Sequence, residues 1–122
     1  DLMATCIDLS GSSYPTERSG VKVTPYEGVS LAPALAGSPL HRPQPIFWEH
    51  EGNRAIRDGH WKLVSKHNQP WELYDMASDR TETQDLSTTH ADQARTMAKS
   101  WENWAARVGV KLWPIATKEQ PR

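Results

Sequence analysis

Apolar and polar residues alternate over Ile46–Tyr74, IFWEHEGNRAIRDGHWKLVSKHNQPWELY. A period of two puts successive side chains on opposite faces of a strand. The stretch predicts four short strands: Ile46–His50, Asn53–Arg57, His60–Lys66 and Trp71–Tyr74. Glu51-Gly52, Asp58-Gly59 and His67-Asn68-Gln69-Pro70 separate them. Asp58-Gly59 between two strand-like runs predicts a type I′ turn, in which both central residues take positive φ. Turns this short join antiparallel neighbours, so the expected sheet is a meander. Trp61 and Leu63 fall on one face of the third strand, and His60, Lys62 and Val64 on the other. One face should be apolar and must be covered.

The period then changes. After the polar, irregular Asp75–Ser87, apolar residues at 94, 97, 98, 101, 105 and 108 follow helical spacing. Thr88 or Thr89 is the expected cap and Gly109 the expected stop. This helix is the natural cover for the sheet, and Trp101 and Trp104 read as core before they read as a carbohydrate platform. Upstream, Asp1–Leu9 suits an amphipathic helix ended by Gly11, with Cys6 a small packing residue on its apolar face. Ser12–Thr24 reads as a loop. Gly28–Gly37 reads as a short helix, with Ser30 as cap and Pro33 in the first turn. Pro39, Pro43 and Pro45 keep the next segment extended. The fold class is α+β: a small four-stranded antiparallel meander packed against a long C-terminal helix, preceded by short helices. The expected divisions are residues 1–45, 46–110 and a tail, 111–122.

Composition changes this picture little. Hydrophobic residues make up 37% of 122 residues, so the core is modest, and six tryptophans partly offset that. Fourteen basic against fifteen acidic residues leave a net charge of −1, which gives no electrostatic case for nucleic acid or a membrane surface. No apolar run is long enough to span a bilayer. The lone cysteine excludes an internal disulfide. No signal peptide is visible, and the chain reads as a piece of something longer.

Four segments resemble, in order, the C-terminal subdomain of the sulfatase (arylsulfatase) family of the alkaline-phosphatase-like superfamily. DLMATCIDLSG at 1–11 is similar to the family's D-(I/L)-x-P-T-x-x-D-L-x-G, with Ala4 at the usual proline. YEGVSLAPALAG at 26–37 is similar to D-G-x-S-L-x-P-x-L-x-G. Ile46–Val64 is similar to F-W-E-H-E-G-N-x-A-(I/V)-R-x-G-x-W-K-L-V, the longest and most specific of the four. Trp71–Asp75 and Asp79–Leu86 resemble W-E-L-Y-D-L-x-x-D-P-x-E-x-x-N-L, with Arg80 and Asp85 at the usual proline and asparagine.

The resemblance implies the hydrolysis of sulfate esters. Sulfatases use a formylglycine nucleophile made within a C/S-x-P-S/A-R motif, and a Ca²⁺ ion held by Asp and Asn side chains. Neither set of residues is visible here, because Cys6 is followed by Ile7-Asp8-Leu9. Formylglycine and Ca²⁺ are therefore expected in a catalytic N-terminal domain of the same protein, the implied partner of this segment, and no cofactor in the segment itself. Alone it should be inactive. His41, His67 and His90 do not form a metal-binding spacing.

His50, Asn53 and Arg54 are the candidate substrate-binding residues, at the first turn of the meander. An Arg there can pair with a sulfate or carboxylate. Neutral His and Asn suit sugar hydroxyls. For each the other reading is turn closure facing solvent, preferred for Arg54 and for the neighbouring Glu51. The implied substrate is a sulfated carbohydrate or an aryl sulfate. Two other functions fit the same residues: a non-catalytic glycan- or protein-binding module, or part of a phosphonate or phosphate-ester hydrolase of the same superfamily. Most bacterial members of the family are periplasmic or secreted, which is the expected location, with a cytoplasmic one also open.

Overall fold

The computed structural model describes residues 1–115. The end of the expected tail, residues 116–122, lies outside the described residues. The chain divides into two compact units, Asp1–Pro43 and the part from Gln44 onward.

The first unit holds α1 (Leu2–Ser10), a hairpin of β1 (Glu17–Arg18) and β2 (Val21–Lys22), and the one-turn helix α2 (Ala32–Leu35). Gly11 ends α1 in the left-handed conformation. The buried residues of α1 are Ala4 and Thr5, whereas Cys6 is exposed and does not pack. Segment 29–31 is pinned to α1 by side chains. Asp1 Oδ1 accepts the Val29 N–H at 3.1 Å, Thr5 Oγ1 accepts the Leu31 N–H at 2.9 Å, and Ser30 Oγ donates to Asp8 Oδ2 at 2.5 Å. Asp1 also pairs with Arg42. Ser30 Oγ accepts the Ala32 N–H at 3.1 Å, so it satisfies an orphan donor of α2, although Leu31 occupies the N-cap position. The hairpin falls within the expected loop. Its turn, Ser19-Gly20, has φ of 51° and 80°, and the strands are too short to show a period.

The second unit is a sheet of β3 (Ile46–His50), β4 (Asn53–Asp58), β5 (Trp61–Ser65) and β6 (Glu72–Asp75), antiparallel in chain order. It is covered by α3 (Ala91–Val108), ended by Gly109 in the left-handed conformation. His90, not Thr88 or Thr89, takes the N-cap position, and the Thr89 hydroxyl instead donates to Leu86 O. The first turn falls where expected, and the second does not. Glu51-Gly52, between partners His50 and Asn53, has φ of 53° and 82°, the sign pattern of type I′. The second turn shifts by one residue. Asp58 pairs with Trp61, so Gly59-His60 is central, and of these Gly59 alone has positive φ, the pattern of type II′. Asp58 is thereby free to end β4.

The register puts Phe47, Ile56, Leu63 and Leu73 in one row across the sheet. Ile56, Leu63 and Leu73 are fully buried under Ala94, Met97, Trp101 and Ala105 of α3. Trp101 is the centre of this layer. Its ring meets Trp71 at 5.9 Å and Trp104 at 6.0 Å, and its Nε1 donates to Trp48 O at 3.0 Å. Trp104 stacks on Phe47 at 5.1 Å. Both tryptophans belong to the core.

The β6 edge is sealed. Asp85 Oδ1 accepts the Leu73 N–H at 2.9 Å, and the Leu86 N–H donates to Leu73 O at 2.8 Å. Partial burial would raise the Asp85 pKa, but the N–H groups of Leu73 and Ser87 and the Ser87 hydroxyl outweigh it and hold the carboxyl below its ordinary value. Backbone N–H groups also lower Asp75 and Asp79. On the other sheet face, the buried Tyr74 hydroxyl donates to Glu72 Oε2 at 2.8 Å, and burial followed by that carboxylate pushes its pKa up to about 12.

Two predictions follow from this packing. Trp101→Ala removes the ring that α3 sets on the sheet and should cost about 3–5 kcal/mol in urea unfolding; a loss below about 0.5 kcal/mol would place the ring outside the core. The lowered carboxylates contribute stability that is present above the unfolded carboxylate pKa and is lost as pH falls through the folded values. The urea midpoint should therefore fall on acidification below the ordinary Asp range. Asp85→Asn keeps one acceptor oxygen but loses the charge and the second acceptor, so this variant should unfold at a lower midpoint at neutral pH and lose less of it in acid. An unchanged acid slope would remove Asp85 from the account.

Candidate functional site

A hairpin turn sets the end of the sheet where the candidate residues lie. Because Glu51-Gly52 closes β3 onto β4 with only two residues, His50 and Asn53 are direct partners and project from the same face, the one opposite α3. Both are exposed. The Asn53 amide is occupied: Nδ2 donates to His50 O at 2.8 Å, and Oδ1 accepts the His67 N–H at 3.1 Å. It ties the first turn to the turn after β5. His50 leaves its ring at the surface.

Arg54 lies on the other face, one residue along, paired with Ser65 and Glu49. The structure thus brings His50 and Asn53 together and puts Arg54 on the helix side. The guanidinium carbon sits 4.3 Å from the Trp71 ring centre and 5.5 Å from that of Trp101, a cation–π geometry. Nη2 donates to Ser65 Oγ at 2.9 Å, and Ser65, almost fully buried, donates in turn to Gln69 O at 2.7 Å. This holds the guanidinium flat against the aromatic layer.

Arg54 opens onto a cleft of 540 Å³ between this end of the sheet and the end of α3. Glu49, Gly52, His67 and Asn68 line it from the turns, and Trp101, Glu102, Ala105, Lys111 and Trp113 from the helix and the segment after it. Glu49 and Arg54 alternate in phase with Phe47 and Ile56, so charged residues in a core-facing phase were the signal for this cleft. Its far wall has no such signal, since residues 101–113 reach it only through the tertiary fold. The Glu49 carboxylate accepts the Gly52 N–H at 2.9 Å. Lys62, on the outer face, pairs with Glu82. Among the described residues no three His, Cys, Asp or Glu side chains group as a metal site.

Comparison with known proteins gives a consistent answer. No family model matches the chain. It is 27% identical over 121 residues to an uncharacterized sulfatase of Schizosaccharomyces pombe, covering 93% of this chain and 22% of that protein. It is 30% identical over 129 residues to the choline-sulfatase of Rhizobium meliloti, covering 98% of this chain and 23% of that protein. Among solved structures, Ps i-CgsB superposes with a TM-score of 0.66 and 25% identity over 85% of this chain and 23% of that one. The chain thus spans under a quarter of the length of these relatives, and the part it matches is their C-terminal portion. The resemblance to the sulfatase C-terminal subdomain holds, as does the α+β fold.

The turn that carries the candidate site is tightly constrained. A Cβ on Gly52 would stand 2.2 Å from His67 Nδ1, at a residue with φ of 82°, whereas a Cβ on Gly59, at φ of 56°, would meet nothing within 4 Å. Gly59→Ala should cost about 1–2 kcal/mol, the strain of the left-handed conformation alone. Gly52→Ala should cost at least about 1 kcal/mol more, because the His67 ring must also move. Urea unfolding of both variants checks this, and equal losses would contradict it.

Proposed function

We propose that this chain, similar to sulfatases over their C-terminal portion, is the C-terminal subdomain of a sulfuric ester hydrolase, and that it completes the fold and forms one wall of the substrate pocket. The observation that carries the reading is the coverage: nearly all of this chain matches under a quarter of each sulfatase. The chemistry agrees with that division. Cys6 lies in α1, outside any C/S-x-P-S/A-R motif, and its carboxylate neighbour Asp8 is bound to Ser30. The described residues do not fit a formylglycine nucleophile or a Ca²⁺ site. Both groups belong to the catalytic domain that the relatives' length implies, and no step of sulfate transfer is assigned to these side chains.

The wall is the end of the sheet at Glu51-Gly52. His50 there offers its ring nitrogens for hydrogen bonding, Asn53 holds the turn in shape, and Arg54 supplies fixed positive charge beneath it. Such groups bind the non-reacting part of a substrate. A sulfated carbohydrate fits this best, and one structure of the similar Ps i-CgsB carries k-i-k-neocarrahexaose. Contacts made equally in the ground and transition states change KM and leave kcat alone.

The test is made on the full-length protein. It should release sulfate from an aryl sulfate or a sulfated oligosaccharide, and the 122-residue chain with added Ca²⁺ should not. Hydrolysis by the chain alone would overturn the reading. In the full-length enzyme His50→Ala should raise KM for the sulfated oligosaccharide about fivefold at unchanged kcat, the worth of one neutral hydrogen bond of about 1 kcal/mol. The minimal aryl sulfate should be affected less. A collapse of kcat would instead put His50 in the chemistry.

A further inference from the structure

Opposite charges directly across two antiparallel strands attract, and such pairs stabilise a sheet. Glu49 of β3 and Arg54 of β4 are direct partners, yet they form no ion pair. The Glu49 carboxylate turns to the Gly52 N–H at 2.9 Å, and the Arg54 guanidinium lies on Trp71 and Trp101. The fold holds the two charges apart. Arg54 donates to the Ser65 hydroxyl, which is neutral and almost fully buried. A guanidinium carries several N–H donors in a rigid fork, and stacking on indole faces leaves the edge of the fork available. That residue lines the 540 Å³ cleft.

The far wall of the cleft repeats the pattern. Lys111 is exposed there and, among the described residues, forms no ion pair. The acids of the lining are both engaged: Glu49 with the Gly52 N–H, and Glu102 with Lys99. Two cations thus line the cleft without a counter-charge among the described residues, so its free charge is positive. Trp113 belongs to the same wall and is 40% exposed, whereas Trp101 is buried. An open indole beside unpaired cations offers a flat apolar surface to a ring and charge to an anionic substituent on it. The volume falls within the range of small-ligand sites, about 300–1,000 Å³.

We propose that the substrate is a carbohydrate sulfated on more than one ring, and that this cleft holds a second sulfate, one that does not react, between Arg54 and Lys111. The ring that carries this sulfate lies on Trp113. The inference rests on the sulfatase reading given above and narrows it from sulfated carbohydrates in general to polysulfated ones. Arg54 and Lys111 act in binding alone, because a sulfate held here is hydrogen-bonded and not attacked. The separation of Arg54 from Glu49 then has a purpose: a guanidinium neutralised by its cross-strand carboxylate would hold an anion poorly.

Kinetics of the full-length protein test this with two oligosaccharides of equal length, one sulfated on a single ring and one on two rings. KM should be about tenfold lower for the doubly sulfated chain, as expected for one set of charge-assisted hydrogen bonds. Arg54→Gln should bring the ratio of the two KM values close to one. Lys111→Gln, at an exposed position that the fold does not depend on, should reduce the ratio about threefold. Equal KM values for the two chains, or a ratio that survives these substitutions, would overturn the proposal. Should Arg54→Gln not fold, Lys111→Gln decides alone. Sulfate release from both chains with no preference between them sinks this inference and leaves the functional reading intact. Release from neither sinks the functional reading, and calorimetric titration with the same two chains then decides this one. Tighter binding of the doubly sulfated chain, weakened in Lys111→Gln, would support the site, and equal binding would overturn it.

Discussion

An indole N–H buried between a helix and a sheet must find an acceptor, and Trp101 finds the carbonyl of Trp48. That hydrogen bond fixes where α3 lies along the sheet, because a shift of the helix by one turn would leave both groups unpaired in an apolar layer. The remaining contacts depend on this setting. Met97 and Ala105 fall over Ile56, Leu63 and Leu73, and Trp104 stacks on Phe47. Trp71 closes the layer edge-on, and Arg54 lies across the two rings. The cleft at this end of the sheet has its shape because Trp101 forms its floor.

In the first unit the ties are polar. Asp1, Thr5 and Asp8 recur at the spacing of one helix face, and each meets the backbone or hydroxyl of segment 29–31. The two N-terminal motifs that resemble sulfatases, DLMATCIDLSG and YEGVSLAPALAG, are thus the two halves of one hydrogen-bonded assembly. Their shared presence in the sequence has a structural cause that needs no catalytic role. Gly28 completes it, for a Cβ there would stand 2.6 Å from the backbone nitrogen of Asp1.

The meander and α3 were legible because each follows one period over many residues. Glycine signals located the turns, but not their registers: Asp58-Gly59 looks like the better type I′ pair, yet the pairing of Asp58 with Trp61 moves the turn to Gly59-His60. A register is decided by cross-strand packing, here Ile56 against Leu63, which a turn dipeptide does not encode. Cys6 was misplaced for a related reason. In the first unit α1 buries Ala4 and Thr5 against polar partners, so its apolar residues do not mark its packed face. Of the candidate site, the pairing of His50 with Asn53 could be read from the two-residue turn, while the separation of Arg54 to the other face follows from strict alternation. The far wall of the cleft could not be read, because nothing local in residues 101–113 refers to residues 49–54.

The strand order of the sheet, each strand beside its neighbour in sequence, bears on how fast the unit can form. Every pairing closes a loop of a few residues, and α3 follows directly on the sheet it covers. Chains built from such short-range contacts fold quickly, since little loop entropy is lost before the contacts form. In the sulfatase relatives the matched segment is the C-terminal portion, synthesised after the rest of those chains. A topology that needs no distant strand lets the latecomer arrive folded.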